Sequence, residues 1–265
     1  ASSVKDVVDE FRLSFPAEAD KIKQTEWSKQ AITLPRGTPI QKHPLFLGGS
    51  IEVQEEGSQL LSLLLDAKRG HMVADFCAGA GGKALALSAL MKNTGRIYAF
   101  DISDRRLANL KQRLKRSGAS NIAMQRISNE NDLKIKRLRN KLDRVLVDAP
   151  CTGLGTLRRN PDLKWRQTEE SLSELTIKQA SILEAASKLC KKGGYLVYAT
   201  CSILNDENED IVTQFLKKNK HFKIIPQHTI MQKHGVNIGD GDFLKLTTHT
   251  HKTDGFFGAL MERVD

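Results

Sequence analysis

The residues with the clearest chemical potential are two cysteines that each follow an apolar, strand-like run. Cys151 lies in DAPCTGLG, directly after RVLVDAP, and Cys201 lies near the end of YLVYATCS. A cysteine thiolate is a strong nucleophile, and its covalent intermediate divides one difficult reaction step into two easier ones. Asp148 precedes Cys151 in the same run, and a carboxyl group there can donate or accept a proton. The pattern favours an active site with two thiols and one carboxylate.

The alternative interpretation of these cysteines is structural. A lone cysteine is more often an inert core residue, which suits Cys190 in the predicted helical segment SKLCKK. Two features favour reactive thiols instead: Arg158 and Arg159 follow Cys151, and a predicted helix start follows Cys201. Either positive environment lowers the pKa of a thiol.

A glycine-rich turn joins the predicted strand HMVADFCA to the predicted helix GKALALSALMKN. Small residues let a ligand approach the backbone closely, and a helix N-terminus favours a carboxylate or phosphate group. Asp101 ends the next predicted strand, and an acidic residue about 20 positions after such a turn can bind a ribose diol. The two features together predict an adenosine-bearing cofactor, either a dinucleotide or S-adenosylmethionine.

The turn also has a purely structural interpretation, as an ordinary tight loop followed by an aspartate that caps a helix. Its spacing matches neither the phosphate loop G-x-x-x-x-G-K-[ST] nor the dinucleotide motif G-x-G-x-x-G. Packing or backbone geometry alone would also explain the cysteine in the turn. The candidate cofactor-binding residues here are Cys77, Ala78, Gly79, Ala80, Gly81, Gly82 and Lys83.

The elements that position these residues alternate between strands and helices from residue 51 onward. The predicted strands are HMVADFCA, RIYAFDIS, NIAMQRI, LDRVLVDAP, YLVYATCS and a final strand or hairpin in TDGFFGALMERV. The predicted helices are SQLLSLLLDA, GKALALSALMKN ended by Gly95, RRLANLKQRLKRSG closed by Gly118, SLSELTIKQASILEAASKLCKKGG capped by glycines, and NEDIVTQFLKKN. This alternation predicts a parallel, doubly wound sheet that brings the ends of its strands, and the ligands they bind, to one edge.

Residues 1–50 differ from the remainder and predict a small α/β subdomain or the remnant of an RNA-binding region. VKDVVDEF is typical of a short amphipathic helix and AITLP of a strand. Residues 51–265 are predicted to form the catalytic domain. The chain lacks an initiator Met and a signal-like segment at its start, which predicts a trimmed chain or a fragment.

Composition limits the partners. The formal net charge is +10 across 265 residues, which favours a polyanion such as nucleic acid, although a basic solvated surface would give the same value. The basic residues cluster in RRLANLKQRLKR, KIKRLRNK and RRNPDLKWR. No apolar run has the length of a membrane span. Four cysteines without metal-binding spacing predict a reduced, cytoplasmic protein with no bound metal and no membrane partner.

Taken together, DFCAGAGGK, AFDIS, VDAPCTGLGTLRRNPDLKW and YATCSILNDENED resemble the Sun family of RNA cytosine-5 methyltransferases. The resemblance covers roughly residues 50–265 and includes VQEEGSQL and TDGFFGALMER. It implies a Rossmann-like class I methyltransferase fold, with a mostly parallel sheet and an antiparallel C-terminal strand. The chain departs from the family at Ala80, where a proline is usual, and at Ala84, where a threonine is common. An aspartate that many members carry corresponds to Asn129 or Asp132.

The resemblance implies S-adenosylmethionine as the methyl donor and RNA as the substrate. In the family, the cysteine of the T-C-S motif, here Cys201, is the nucleophile. The cysteine of the P-C motif, here Cys151, helps to remove the proton from carbon 5 and to release the enzyme. Asp148 would hydrogen-bond the base at N3 and also touch the cofactor amine, and Lys83 would meet the cofactor carboxylate. Asn129 is the candidate contact for the adenine.

Three functions remain open at this point. The first is methylation of cytosine carbon 5 in RNA, with ribosomal RNA favoured over transfer RNA. The second is methylation of another nucleobase position or of a protein amide, which the absence of an (Asn/Asp)-Pro-Pro-aromatic tetrad at DAPC disfavours. The third is a non-catalytic RNA-binding or ribosome-assembly factor, which the intact Cys201, Cys151 and Asp148 disfavour. In any RNA-binding function, Trp165 would either stack a base or pack inside the protein.

Overall fold

A computed structural model describes residues 3–265 of the chain. Its helices are α1 (Val4–Ser14), α2 (Pro44–Leu47), α3 (Glu56–Leu64), α4 (Gly82–Leu90), α5 (Asp104–Ser117), α6 (Leu133–Lys136), α7 (Glu169–Ser187), α8 (Glu209–Lys218), α9 (His228–Met231) and α10 (Thr248–His251). Its strands are β1 (Lys23–Gln24), β2 (Ile32–Thr33), β3 (Met72–Asp75), β4 (Arg96–Asp101), β5 (Ile122–Arg126), β6 (Leu142–Asp148), β7 (Cys190–Thr200), β8 (Phe222–Ile225), β9 (Leu244–Leu246) and β10 (Phe256–Arg263).

The main sheet has the strand order β5-β4-β3-β6-β7-β10-β8, and β9 pairs with β10. The strands β3 to β7 run parallel to one another, whereas β10 is antiparallel to β7, β8 and β9. This topology confirms the predicted class I methyltransferase fold. The carboxyl ends of the parallel strands therefore meet at one edge, which the start of β10 joins because Phe257 pairs with Thr200.

Helices cover both faces of this sheet. Successive strand residues point to opposite faces, so Val73 joins the cluster beneath α3, α4 and α5, whereas its neighbour Ala74 joins the cluster beneath α7 and α8. Leu146 and Val147 divide in the same way. Burial on both faces explains why these strands read as continuous apolar runs.

Two predicted boundaries are wrong. The helix expected over residues 171–194 ends at Ser187, and Cys190 begins β7 instead of lying on the helix. The glycines that follow belong to an irregular pairing of β7 with β6, since Gly193 has a φ of +70°. The helix expected to end at Gly95 ends earlier, at Leu90. Gly95 instead allows close packing at the start of β4, where a Cβ would lie 2.3 Å from the His71 oxygen.

Residues 3–50 include the predicted helix as α1 and the predicted strand as the short β2, which pairs with β1. Val8, Phe11 and Ile22 form a small separate core there. The segment docks on α3, because the backbone nitrogens of Trp27 and Ser28 donate to Glu56 Oε1 at 2.9 and 2.8 Å. The division into domains at residue 50 stays a prediction.

Candidate active site

The active-site candidates lie where neighbouring strands end. β3 ends at Asp75, β4 at Asp101, β6 at Asp148 and β7 at Thr200, directly before Cys201. Parallel strands carry their polar terminal residues to the same edge of the sheet, which is the usual ligand-binding edge of this architecture. The sequence-predicted carboxylates and the Cys201 thiol therefore share one rim.

The structure brings the two predicted thiols into contact. Cys151 Sγ lies 3.4 Å from Cys201 Sγ, and both side chains are partly exposed. The turn after Cys151 is fixed against β7, since Gly155 N donates to the Cys201 oxygen at 2.9 Å. A Cβ on Gly155 would lie 2.1 Å from the Gly255 oxygen, so only glycine fits this approach. The close contact of the two segments sets the geometry of the thiol pair.

The two thiols differ in acidity. The hydrogen bond from Cys151 lowers the pKa of Cys201 below the ordinary thiol value, despite the opposing effects of burial and of Asp148. The Lys83 ammonium acts in the same direction. The same hydrogen bond, together with burial, raises the pKa of Cys151 well above its ordinary value. Cys201 is therefore the more acidic thiol of the pair, and Cys151 is the one that more readily keeps its proton.

The predicted cause of thiolate formation is wrong for Cys151. Arg158 Nε bonds Asp254 Oδ1 at 2.7 Å and Arg159 also pairs with this fully buried aspartate. The two arginines therefore balance a buried charge, and the pKa of Cys151 is raised instead of lowered. The predicted helix after Cys201 is α8, and its N-cap Asn208 bonds Thr200 and Ser202 on either side of this cysteine, so the contribution of the helix start to its acidity stays a prediction.

Lys83 links the glycine turn to the catalytic candidates. Its Nζ lies 2.8 Å from Asp148 Oδ2, and its side chain is only 11% exposed. Burial alone would lower the pKa of Lys83, but Asp148 and then Asp75 raise it. The ammonium is thus fixed among two carboxylates and the Cys201 thiolate. Its predicted contact with a cofactor carboxylate stays a prediction.

The glycine turn is shaped by backbone conformations that other residues adopt rarely. Gly79 has a φ of +56° and Gly81 a φ of +83°. Asp101 fixes the turn by accepting the Gly79 N–H at 2.8 Å, and its other oxygen accepts the Ser103 N–H at 2.8 Å. Ala78 N donates to the Phe100 oxygen at 2.9 Å. The turn and the end of β4 are therefore one rigid unit.

The remaining candidates occupy several environments. Burial and then the nearby Asp148 raise the pKa of Cys77, which makes this thiol a poor nucleophile. The Ala80 oxygen accepts a hydrogen bond from Arg113 at 2.9 Å, and Gly82 begins α4. Asn129 is exposed, with its Oδ1 bound to Asn131 N at 2.8 Å.

The alternative to Asn129, Asp132, has a structural task. It caps α6 by accepting the Lys134 N–H at 2.9 Å and also accepts the Ser128 N–H at 3.0 Å. An adenine contact therefore stays a prediction for Asn129, while the carboxylate of Asp132 already has backbone partners.

Sequence reasoning missed two buried carboxylates. Neither oxygen of the fully buried Asp75 has a hydrogen-bond partner, and burial together with Asp148 raises its pKa to about 7. The available signal was an aspartate inside the apolar run HMVADFCA. A buried, unpartnered polar group commonly marks a ligand site.

The second missed carboxylate is the buried Glu207. It accepts the Thr152 N–H at 2.9 Å, the Thr152 hydroxyl at 2.6 Å and Gln179 Nε2 at 2.9 Å. Thr152 directly follows Cys151, so Glu207 holds the turn that carries this thiol. The acidic string NDENED gave no sign of burial, because such a string is more typical of a solvated surface.

Comparison with known proteins now identifies the family. The family described as 16S rRNA methyltransferase RsmB/F matches residues 62–262. The chain belongs to this family. Membership in the RsmB/F family confirms the resemblance drawn from the cysteine motifs, and it identifies S-adenosylmethionine as the cofactor that the glycine turn predicts.

Individual relatives agree with this assignment. The chain is 33% identical over 257 residues to the ribosomal RNA small subunit methyltransferase B of Shewanella oneidensis, covering 96% of the chain and 58% of that protein. It is 31% identical over 258 residues to the mouse 28S rRNA (cytosine-C(5))-methyltransferase, covering 90% of the chain and 31% of that protein. The chain spans about half the length of the bacterial relatives that it matches.

A solved structure supports the same fold. NSun6 from Pyrococcus horikoshii with SFG superposes with a TM-score of 0.75 at 29% identity, covering 88% of this chain and 58% of that one. Within residues 3–265, no helix is both long and apolar enough to span a bilayer. The same residues contain no group of three or more His, Cys, Asp or Glu side chains placed to hold a metal ion.

Proposed function

We propose that this RsmB/F-family chain transfers a methyl group to carbon 5 of a cytosine in RNA, with ribosomal RNA the favoured substrate. The observation that carries the proposal is the thiol pair, 3.4 Å apart, in which the pKa of Cys201 is lowered and that of Cys151 is raised. Asp148 lies at the same rim, held by Lys83 at 2.8 Å. A non-catalytic RNA-binding protein would not need two matched thiols of opposite acidity beside a cofactor turn.

The described residues fit S-adenosylmethionine. This group supplies an electrophilic methyl on a sulfonium sulfur. The predicted ribose site is the Asp101 carboxylate, whose oxygens retain acceptor capacity beyond their bonds to Gly79 and Ser103. Asp75 offers two unpartnered carboxylate oxygens beneath the turn. A cationic amine would satisfy such a group better than any neutral ligand.

Covalent catalysis explains why a nucleophile is required. Carbon 5 of cytosine is too weakly nucleophilic to accept a methyl group directly. Addition of the Cys201 thiolate to carbon 6 converts the ring into an enamine, so carbon 5 gains the electron pair needed to attack the methyl group. As negative charge moves toward N3, that atom takes up a proton from solvent, and the Asp148 carboxylate accepts a hydrogen bond from the new N3–H, which returns its proton to solvent when the adduct breaks down. Lys83 keeps Asp148 in position and stabilises the thiolate before attack.

Release requires a base, and we infer that Cys151 is this base. The first cause of its high pKa is the hydrogen bond to the Cys201 sulfur, followed by burial and the charge on Cys201. Adduct formation removes that charge, so the pKa of Cys151 falls and its proton can pass to solvent, which leaves a thiolate at this residue. The thiolate then takes the proton from carbon 5, the ring double bond reforms, and the C6–S bond breaks to return the Cys201 thiolate.

The choice of RNA rests on the relatives. The names of the Shewanella and mouse proteins specify ribosomal RNA, which favours ribosomal over transfer RNA for this chain. An unpaired cytosine is the cheapest target, because the base must leave its stack to reach the thiols. We further propose that residues 51–265 form the catalytic domain and that residues 1–50 assist RNA binding. A reducing cytoplasm is the compartment that suits free, reactive cysteines.

Direct assay tests the function. Unmodified ribosomal RNA and transfer RNA transcripts are incubated separately with the protein and S-adenosylmethionine, and the digested nucleosides are separated by mass spectrometry. We expect 5-methylcytidine in ribosomal RNA and none when the protein carries Cys201→Ser. If 5-methylcytidine formed in transfer RNA alone, transfer RNA and not ribosomal RNA would be the substrate. Methylation at another atom, or none in either RNA, would contradict the function.

The glycine turn gives a prediction for cofactor binding. Gly81→Val is a poor test, because its Cβ would lie 2.1 Å from Leu110 Cδ1 and the fold itself would suffer. At Gly79, by contrast, a Cβ would approach nothing closer than the Cys77 oxygen at 4.0 Å. Asn tolerates this backbone conformation better than most residues, so Gly79→Asn adds a side chain to the cofactor space with little strain.

We expect Gly79→Asn to weaken S-adenosylmethionine binding by about 10-fold or more, the equivalent of one or two lost polar contacts. Isothermal calorimetry measures the affinity, and thermal unfolding checks that the fold persists. Gly37→Asn is the matched control, because Gly37 also has a positive φ and an open Cβ position but lies in the N-terminal segment. Equal affinity in both variants would place the cofactor elsewhere.

A further inference from the structure

Trp165 is a large aromatic side chain without a structural task. It ends the short 3-10 helix Pro161–Trp165 and is 81% exposed. Trp27 behaves differently: its Nε1 donates to the His251 oxygen at 3.1 Å and its ring packs against the main core. The structure thus decides against the packing interpretation of Trp165. A tryptophan held in water in this way indicates a partner.

The segment that carries Trp165 is tied to the thiol site at two points. Gln167 Nε2 donates to the Thr152 oxygen at 3.1 Å. A Cβ on Gly153 would lie 3.4 Å from Leu163 Cδ1, so the Leu163 side chain packs closely on the Gly153 backbone. Thr152 and Gly153 directly follow Cys151. Trp165 therefore lies on a fixed rim beside the thiols and not on a free loop.

The surroundings of Trp165 are basic. Lys164 Nζ lies 4.8 Å from the Trp165 ring centroid, a distance at which the cation attracts the ring face. Arg166 is 72% exposed and bonds only the exposed Asp162, at 2.6 Å. Charge complementarity therefore favours an anionic partner with flat, apolar groups. Single-stranded RNA has this chemistry, since its phosphates meet the cations and its bases stack on aromatic rings.

We propose that Trp165 stacks on an unpaired nucleobase next to the target cytosine. The target itself must reach Cys151 and Cys201, which are only partly exposed, whereas Trp165 stands outside them on the rim. A neighbouring base in the same strand is the group that reaches this position while the target occupies the thiol site. That the neighbouring cytosine is the methylated base rests on the proposed function, whereas the stacking contact itself does not require methyl transfer.

Equilibrium binding separates the base contact from the phosphate contacts. The probes are single-stranded dodecauridylate and an abasic ribose-phosphate dodecamer with the same charge. We expect Trp165→Ala to weaken dodecauridylate binding roughly 5- to 150-fold, the range for one stacked base, and to leave abasic binding unchanged. Trp165→Phe should restore most of the affinity. Val264→Ala is the control, since Val264 is exposed but follows β10 at the opposite edge of the sheet.

Two further readouts complete the test. The slope of affinity against salt should be equal in wild type and Trp165→Ala, because phosphate contacts remain. The Trp165 emission, taken as the difference between wild type and Trp165→Phe, should be quenched by dodecauridylate and not by the abasic probe. Unchanged affinity for dodecauridylate, or equal losses for both probes, would overturn the proposal. Failure to form 5-methylcytidine would overturn the proposed function alone, and leave this binding result standing.

Discussion

Replacement of Cys201 by alanine is expected to reduce methyl transfer by roughly 10⁴-fold or more, because the nucleophile of a covalent mechanism is lost. The pKa of Cys201 is lowered and that of Cys151 is raised, which makes Cys201 the proposed nucleophile. The remaining thiol, Cys151, has a raised pKa and is a poor nucleophile, so no covalent RNA–protein species should form. Release of 5-methylcytidine from digested RNA measures the loss.

Replacement of Cys151 should also stop turnover, but at a later step. Without a base for the carbon 5 proton, the methylated adduct persists on Cys201 and migrates slowly in denaturing electrophoresis. Cys151→Ala also removes the hydrogen bond that lowers the Cys201 pKa, so the adduct should form slowly at neutral pH and faster as the pH rises. Cys151→Ser retains a hydrogen-bond donor and should trap the adduct sooner.

The two single variants must therefore differ although both are inactive. The double variant should resemble Cys201→Ala and form no adduct. Cys190→Ala is the matched control, since this buried cysteine lies at the start of β7, at the other edge of the sheet. An adduct in Cys201→Ala but not in Cys151→Ala would show that Cys151 is the nucleophile and Cys201 the base. Normal 5-methylcytidine formation in both single variants would exclude the covalent mechanism.

Much of this site was predictable from the sequence because the topology is regular. Apolar runs alternate with helices, and parallel strands must end at one edge; this rule placed Asp101, Asp148 and Cys201 on one rim. The fold class followed from the same pattern and from the two cysteine motifs. The closure of α5 by Gly118 was also predictable, since its left-handed φ of +68° suits glycine at a helix end.

What could not be predicted depends on contacts between segments distant in sequence. Arg158 and Arg159 belong to a basic cluster that favours nucleic acid, but both pair with Asp254, which lies almost 100 residues later in the chain. The burial of Glu207 under Thr152 has the same origin. Sequence spacing also cannot show which of two adjacent thiols is the more acidic, because this depends first on the hydrogen bond between them and on their burial, and for Cys201 also on the placement of Asp148 and Lys83.

Replacement of Lys83 should show most directly how its charge acts on Asp148 and Cys201. Its ammonium bonds Asp148 at 2.8 Å and stabilises the Cys201 thiolate. Lys83→Met keeps most of the side-chain volume but removes the charge. Asp148 loses its fixed partner and the pKa of Cys201 rises, while that of Asp75 rises further as an opposing charge disappears. We expect methyl transfer to fall by about 10²-fold or more, as for loss of one preorganised electrostatic contact.

The pH dependence distinguishes this effect from simple misfolding. A thiol is alkylated as the thiolate, so the rate of iodoacetamide reaction at Cys201 increases with pH through its pKa. Because that pKa is lowered in the wild type, the rate should begin to increase below the pH at which a free cysteine reacts. Lys83→Met should shift the start of this increase to higher pH. Lys83→Arg keeps the charge and should move it less. Lys68→Met, which removes an exposed lysine paired with Asp66, should leave it unchanged. An identical pH profile in Lys83→Met and wild type would show that Lys83 does not stabilise the thiolate, and any loss of methyl transfer would then come from Asp148 alone.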